Sequence, residues 1–177
     1  MLIATEIIAK LKLQPLPEEG GYYLETYRSA ELIPRAALPA RYAADKSFCT
    51  AIYYLLTPET FSGMHRIPTD EIFHFLLGDP VTMLQLYPNG TGKTLTLGSG
   101  IDKGQAPHVV VEKGVWQGSA LQPGGAFALF SVTVAPGFDF SDYENGDRKN
   151  LVVAYPEFRE LIEKLTRSYE PHLNTRI

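Results

Sequence analysis

Two histidines and two acidic residues, His65, Asp70, Glu71 and His74, lie within ten residues of one another near the middle of the chain. This is a concentration of reactive groups, because the whole protein has only four histidines. A proline–threonine pair between the two histidines predicts a turn that joins two β-strands. Because side chains alternate along a strand, Glu71 can face the same interior as His65, whereas His74 points the other way. A histidine and a carboxylate held together in this way can transfer protons or bind a transition metal.

On this basis we predict that His65, Glu71 and Asp70 are catalytic residues. A glutamate in an otherwise apolar strand costs free energy to bury unless it has a partner, and this favours a functional site. The competing interpretation is that His65 is a turn residue that only hydrogen-bonds the backbone. His65 and Glu71 are also the candidate metal ligands.

Aromatic and polar residues on other predicted strands could line a ligand pocket. Tyr23 and Glu25 share one face of a strand, which places an acid beside an aromatic ring and suits a polar ligand. The predicted ligand-binding residues are Tyr23, Glu25, Tyr53, His74, Trp116 and Gln117. The competing interpretation is core packing, and for His74 it is a contact with a second layer or a second subunit.

The elements that must position these residues are helical at both ends of the chain and β-rich between them. Isoleucines and leucines recur at helical spacing in residues 3–11, and Pro156 opens a second amphipathic run. Residues 35–45 fit a short helix or a long loop equally well. Closely spaced strands separated by turn residues are typical of a sandwich or a closed barrel. The predicted strands are residues 22–28, 48–56, 71–77, 82–87, 94–97, 108–111 and 126–134.

The length and the composition of the chain exclude several classes of protein. The chain of 177 residues is one domain's worth, and we predict a single domain over residues 1–177 with its core in residues 2–165. The net charge of −4 and the absence of a lysine and arginine cluster argue against a nucleic-acid partner. No apolar stretch approaches the roughly 20 residues needed to cross a bilayer, and the single cysteine cannot form an internal disulfide. We therefore expect a cytoplasmic protein that has no membrane segment. The partner that we expect is a small molecule, held by the pocket residues named above.

The spacing of His65, Ile67, Glu71 and Gly78 resembles the first sequence motif of the cupins, in which the position of Ile67 is a second histidine. A Pro-x-Gly phrase at residues 123–125 resembles part of their second motif. The resemblance covers nearly the whole chain. It implies an all-β fold, the cupin double-stranded β-helix or jelly-roll barrel, with α-helices at the N- and C-termini. The phrases similar to a small cupin group catalogued as a domain of unknown function are residues 19–28, 70–75 and 134–140.

The chain departs from the usual cupin metal site of three histidines and one glutamate. Ile67 stands at one histidine position, and Ala128 falls three residues after the Pro-x-Gly phrase, where the second motif has another. Because only His65 and Glu71 remain, we expect no tightly bound cofactor and at most a weakly held divalent metal. Purified protein should then hold less than one equivalent of iron, manganese or zinc.

The resemblance also suggests a reaction. Some cupins are metal-free epimerases, and the dTDP-dehydrorhamnose epimerases are similar in keeping a histidine base near the first motif position. This implies a sugar epimerase or isomerase, acting on a nucleotide-sugar-like or other small polar molecule, with His65 as the base. A tyrosine is the acid in those enzymes, and its counterpart here is left open among Tyr23, Tyr53, Tyr54 and Tyr143. The alternatives are a non-catalytic binding or scaffold cupin and a metal-dependent oxygenase, which the missing histidines disfavour.

Two predicted strands, residues 51–56 and 72–77, are apolar on both faces, whereas a half-exposed strand would alternate. One face can fill a barrel, and the other needs a cover. Cupin chains usually form dimers, and we predict a homodimer in which His74 meets a partner across the contact.

Overall fold

The computed structural model describes residues 2–167 as a β-rich fold with short helices at both ends. The helices are α1 (Ala4–Leu11), α2 (Arg148–Ala154) and α3 (Arg159–Lys164). The strands are β1 (Gln14–Pro15), β2 (Tyr22–Arg28), β3 (Leu32–Ile33), β4 (Lys46–Ser47), β5 (Thr50–Leu56), β6 (Phe61–Arg66), β7 (Glu71–Gly78), β8 (Val81–Leu86), β9 (Gly92–Leu97), β10 (His108–Val111), β11 (Trp116–Leu121), β12 (Ala128–Val134) and β13 (Glu144–Asn145).

Two antiparallel sheets enclose the core. One has six strands in the order β1-β2-β5-β12-β7-β10, and the other has five in the order β13-β6-β11-β8-β9. The chain passes from one sheet to the other between β5 and β6, between β6 and β7, and between β7 and β8, as in a jelly roll. The sequence prediction of an all-β barrel with terminal helices is confirmed.

The barrel core lies between the inner faces of the two sheets. Alternate residues of β12 enter it, since Ala128, Phe130 and Val132 are buried, whereas Ser131 and Thr133 on the other face are half-buried. Phe73 of the neighbouring strand β7 packs edge-on against Phe130, with ring centroids 6.3 Å apart. This apolar filling leaves one end of the barrel for the site described below.

The helices cover the outer faces. α2 and α3 place Leu151 and Ile162 against Met64 and Leu84 of the five-stranded sheet. At the other side, α1 packs Ile7 and neighbouring residues against part of the six-stranded sheet. None of the helices in the described part of the chain is long and apolar enough to cross a membrane.

Residues 35–45, which the sequence left undecided, combine both alternatives. They begin with a single 3₁₀ turn, Arg35–Ala37, and continue as irregular chain. Tyr42 anchors this stretch, because its buried ring places the hydroxyl 2.9 Å from the Thr69 hydroxyl in the turn between β6 and β7. The segment is therefore fixed next to the turn that separates His65 from Glu71.

Candidate active site

A β-bulge in β6 aims His65 into the barrel. Gln117 of β11 pairs with His65, but Ser119 pairs with Ser62, so β6 has one extra residue between these pairs. Ser62 and His65 therefore face the same side although they are three residues apart. Gly118 lies opposite the extra residue, where a Cβ would come within 2.7 Å of a methionine sulfur. The sequence thus positions His65 through a local irregularity of the sheet.

Glu71, the first residue of β7, faces His65 across the turn. Both side chains are buried, and the Glu71 Oε1 atom lies 3.8 Å from His65 Nε2. The Gln117 amide nitrogen lies 2.9 Å from the same ring nitrogen and 3.4 Å from Glu71 Oε1. Two residues predicted as catalytic and one predicted as ligand-binding therefore form a single buried cluster.

Glu19 joins the cluster from the loop before β2, although the sequence pattern did not single it out. Its Oε2 atom lies 3.9 Å from His65 Nε2, and its Oε1 atom accepts a hydrogen bond of 2.7 Å from the Ser62 hydroxyl. Gly20 and Gly21 follow with φ angles of 100° and 70°, the left-handed region that glycine tolerates best. These glycines turn the loop so that Glu19 enters the barrel before β2 begins.

These groups line a cavity of about 280 Å³ at one end of the barrel. Its deep wall is apolar and includes Leu16, Ile52, Val132 and Val134. Its mouth is aromatic and charged, with Tyr23, Glu25, Arg28, Phe138 and Phe140. The predicted ligand-binding residues Tyr23 and Glu25 are thus part of the cavity.

Tyr143 is the tyrosine best placed to act with His65. The two rings are stacked, with centroids 4.9 Å apart and an interplanar angle of 26°. Its hydroxyl is buried without a hydrogen-bond partner among the described residues. Tyr54 has its hydroxyl engaged, since it donates 2.9 Å to the Gly20 carbonyl. Of the four candidates, Tyr143 therefore combines contact with His65 and a free hydroxyl.

Two of the predicted site residues, Asp70 and His74, lie outside the cavity. Asp70 is exposed, and its carboxylate accepts a hydrogen bond of 2.7 Å from the Lys113 backbone amide. It therefore stabilises a turn and does not line the cavity, so the structure does not bring this predicted catalytic residue to the candidate site. His74 lies on the outer face of the six-stranded sheet, where its ring contacts His108 at 4.9 Å between centroids. Strand alternation turns it away from the cavity, so this predicted ligand-binding residue also lies apart from the candidate site.

Tyr53 and Trp116 are outside the cavity for the same geometric reason. Tyr53 packs with the cluster beneath α1, on the outer face of the six-stranded sheet. Trp116 packs with the C-terminal helices on the outer face of the other sheet, and the Arg66 guanidinium lies 4.4 Å above its ring. Both fill hydrophobic layers, so the structure does not bring these two predicted ligand-binding residues to the cavity.

The sequence analysis placed the histidine position of the second cupin motif at Ala128, and the structure corrects this placement. Ala128 is fully buried in the apolar core, opposite Leu56 and Gly78 and away from His65. Gln117 follows the Gly114 turn at the three-residue spacing expected for the motif-two histidine, and it contacts His65. The motif-two position is therefore occupied by an amide that hydrogen-bonds the histidine.

The hydrogen bonds define which nitrogen of His65 exchanges its proton. Nδ1 lies 2.8 Å from the Gly63 carbonyl, an acceptor, so Nδ1 carries a hydrogen in both ionisation states. Nε2 is then the atom that gains and loses a proton. Gln117 can donate to neutral Nε2 through its amide nitrogen, or accept from protonated Nε2 through Oε1, which is otherwise unpartnered in the described structure. The two orientations of this amide match the two states of the ring.

The carboxylates make His65 a stronger base than an ordinary histidine. Burial by itself lowers the pKa of His65, but the charges of Glu19 and Glu71 and the hydrogen bonds outweigh it and raise the pKa to about 9. Burial also raises the pKa of the Glu19 carboxyl, although His65 opposes this. The pKa of the Tyr143 phenol is raised as well, because of burial and then Glu19, so the phenol keeps its proton. The cavity thus holds a basic nitrogen and a protonated phenol side by side.

The raised pKa of His65 predicts that this residue stabilises the fold at low pH more than at high pH. Its stabilisation is complete below its unfolded pKa of about 6.5 and is lost as the pH rises through about 9. The loss should amount to roughly 3 kcal/mol in the free energy of unfolding. Urea denaturation of wild type and a His65→Gln variant at pH 6 to 9.5 measures it. The stability difference between the two should shrink with pH, and a constant difference would show that His65 does not hold the proton.

Comparison with known proteins identifies the class of the molecule. Residues 5–145 match the model of the family described as Cupin superfamily (DUF985), so this chain belongs to that cupin family. The uncharacterized protein YML079W of Saccharomyces cerevisiae is 33% identical over 133 residues, which are 71% of this chain and 66%, just under two thirds, of that protein.

Solved structures agree with this assignment. Protein SO0799 of Shewanella oneidensis superposes with a TM-score of 0.83 at 32% identity, covering 94% of this chain and 99% of the other. A hypothetical protein from Leishmania major gives a TM-score of 0.83 at 27% identity, covering 94% and 100%. Oxalate decarboxylase from Bacillus subtilis gives 0.53 at 14% identity, covering 90% and 39%, and shows the shared fold alone.

The donor atoms here do not fit the three-histidine, one-glutamate metal site that the cupin resemblance implies. Ile67 has no donor atom, and Gln117 offers an amide in place of an imidazole. Across residues 2–167, no three or more histidine, cysteine or acidic side chains are grouped so that they could hold a metal ion. The expectation that no metal is tightly held stays a prediction, and metal analysis of purified protein tests it.

Proposed function

We propose that this protein is a metal-independent isomerase or epimerase that moves a proton on a carbon next to a carbonyl group of a small polar molecule. The observation that carries the proposal is the position of His65 Nε2, which lies 3.8 Å from the buried Glu71 carboxylate and 3.9 Å from the partly buried Glu19 carboxylate, beside a cavity of about 280 Å³. Removal of such a proton requires a base that is fixed in place and stabilised once it becomes charged.

The residues divide the work as follows. The Gly63 carbonyl holds the imidazole through Nδ1, so that Nε2 takes the proton from the substrate carbon while the electron pair moves to the carbonyl oxygen. Glu19 and Glu71 stabilise the resulting imidazolium. The Tyr143 hydroxyl donates a hydrogen bond to the oxygen that becomes negative. For isomerisation Nε2 returns the proton to the neighbouring carbon. For epimerisation a solvent water protonates the opposite face of the same carbon, and the hydroxide that forms takes the proton from Nε2.

Proton exchange with the solvent tests this function. Wild-type protein is incubated in deuterium oxide with a panel of aldoses, ketoses and keto-sugar nucleotides, and proton NMR follows loss of the signal beside the carbonyl. Catalysed exchange that is faster near pH 9 than near pH 7 is the expected result, since more Nε2 is then free. Binding without exchange across the panel would instead favour a non-catalytic binding cupin.

We also propose that two copies of the chain associate through the outer face of the six-stranded sheet. α1 covers Leu55 and Leu129, but Leu77 and Val110 remain 42% exposed on this face, where Val110 pairs with Ile72. Exposed apolar side chains on one face of a sheet are typical of a subunit contact.

Light scattering at micromolar concentration should therefore give about twice the chain mass. A Val110→Asp variant should shift the mass toward a monomer, because it places a charge within the contact. Val153→Asp is the matched control, since Val153 is 81% exposed on α2, at the opposite side of the barrel. A monomeric wild type would show that the exposed face has no partner copy.

A further inference from the structure

The charged side chains that line the cavity are mostly acidic. Glu18, Glu19, Glu25 and Glu71 face only two cationic groups, His65 and Arg28. Such an excess of carboxylates repels anions and attracts cations.

Arg28, the only arginine or lysine in that lining, is not free to bind an anion. Its guanidinium forms a bidentate ion pair with Glu25, at 2.9 and 2.7 Å, and also donates to the Phe138 carbonyl at 3.1 Å. The pair neutralises the mouth of the cavity and uses the planar donors that would otherwise grip a phosphate or a carboxylate. Glu19 and Glu71 then remain beside His65, and the exposed Glu18 carboxylate accepts a hydrogen bond of 2.8 Å from the Asn145 amide.

Aromatic rings add a second attraction for cations. Tyr23 and Phe138 line the mouth, and Phe140 meets Phe138 edge to face with centroids 5.2 Å apart. Aromatic faces carry negative potential, and rings near carboxylates are the usual surroundings of a bound ammonium group.

We propose that the cavity selects a small organic cation, an amine-bearing compound such as an amino sugar, and rejects phosphorylated and nucleotide-linked substrates. The proposal rests on the proposed function in that it takes this cavity as the substrate site. It replaces the nucleotide-sugar substrate suggested by family resemblance, because the lining offers no free cation for a diphosphate.

An ammonium group would also prepare His65 for catalysis. Placed beside Glu19 and Glu71, it would substitute for the charge of the imidazolium and lower the pKa of His65 from about 9. The Nε2 proton would then leave for the solvent, and at neutral pH a larger share of the free base would form when the substrate is bound. The charge of the ligand and the protonation state of the base are coupled in this arrangement.

Three nitroxide probes of nearly the same shape test the charge preference: 4-amino-TEMPO as the cation, 4-hydroxy-TEMPO as the neutral probe and 4-carboxy-TEMPO as the anion. Their paramagnetic relaxation of the Val132 and Val134 methyl signals measures how strongly each enters the cavity. We expect the cation to relax these methyls about fivefold more than the neutral probe, and the anion to relax them least.

Variants assign the preference to the carboxylates. Glu71→Gln should reduce the ratio of cation to neutral probe, and so should Glu19→Gln, whereas Glu157→Gln, an exposed site behind the other sheet, should leave it unchanged. Equal relaxation by all three probes, or strongest relaxation by the anion, would overturn the proposal. Deuterium exchange does not depend on these ratios, so a failure of the proposed isomerase function and a failure of the charge preference remain distinguishable.

Discussion

A His65→Gln variant is expected to lose roughly 10²- to 10⁴-fold of the catalysed deuterium exchange, the contribution typical of a positioned general base. Nε2 lies within 4 Å of both the Glu19 and the Glu71 carboxylate, and the contact of Nδ1 with the Gly63 carbonyl fixes the ring. Glutamine keeps a polar group of similar reach but cannot take up a proton at neutral pH. The loss should therefore be in the chemical step and not in ligand binding.

The matched control for this change is His74→Gln. His74 is half-buried on the outer face of the six-stranded sheet, against His108, so its replacement should leave exchange within about twofold of wild type. Chemical shifts of the core methyl groups show whether each variant remains folded. If both variants exchanged as fast as wild type, His65 would not be the base.

A Gly20→Ala variant is expected to lose about 3 kcal/mol of unfolding free energy and most of the activity. Gly20 has a φ angle of 100°, and a Cβ there would lie 2.4 Å from the Phe61 carbonyl oxygen, a backbone atom that cannot move aside cheaply. Relief of this clash would displace the loop and carry Glu19 away from His65. The pKa of His65 should then fall, because one of its two carboxylates is removed.

A Gly90→Ala variant is the control that separates the effect of backbone strain from the effect of the steric clash with Phe61. Gly90 has a φ angle of 87°, but no heavy atom lies within 4 Å of its Cβ position, so only the backbone strain of about 1 kcal/mol applies. Urea denaturation of both variants gives the comparison. Equal losses at the two glycines would mean that the contact with Phe61 does not hold the Glu19 loop.

The sequence predicted the architecture well because strand alternation and turn residues are local signals. β2 and β10 have the predicted bounds, and the other five predicted strands differ by one or two residues at one or both ends. β11 was missed, since Gln117, Gly118 and Ser119 interrupt any apolar run, although the strand is buried on both faces. α2 was missed because its seven residues are too few for a clear helical period.

The site was predicted only in part, for a different reason. His65 and Glu71 are joined by one turn, so spacing and parity were enough to place them together. Glu19 lies 43 residues before Ser62, its hydrogen-bond partner, and only closure of the barrel brings the two into contact. The pair of glycines after Glu19 was the available signal, because two consecutive left-handed residues mark a loop that turns sharply.

The outer positions of Tyr53 and Trp116 could not be predicted, because the sequence does not show which elements cover each face of a sheet. Tyr53 and Trp116 lie on strands with bulky residues on both faces, so composition alone does not say which face meets the cavity. The helices at the two ends decide this by covering Tyr53 and Trp116. Asp70 was assigned by proximity to Glu71, but alternation turns neighbouring residues to opposite sides.

Titration of His65 by long-range ¹H–¹⁵N NMR tests the central claim most directly, because it reads the protonation of each ring nitrogen. The account predicts that Nδ1 stays protonated throughout, that Nε2 loses its proton near pH 9, and that Glu19→Gln and Glu71→Gln each lower this pKa. A pKa at or below about 6.5, unchanged in both variants, would contradict the account, because the two carboxylates would then not be acting on the histidine.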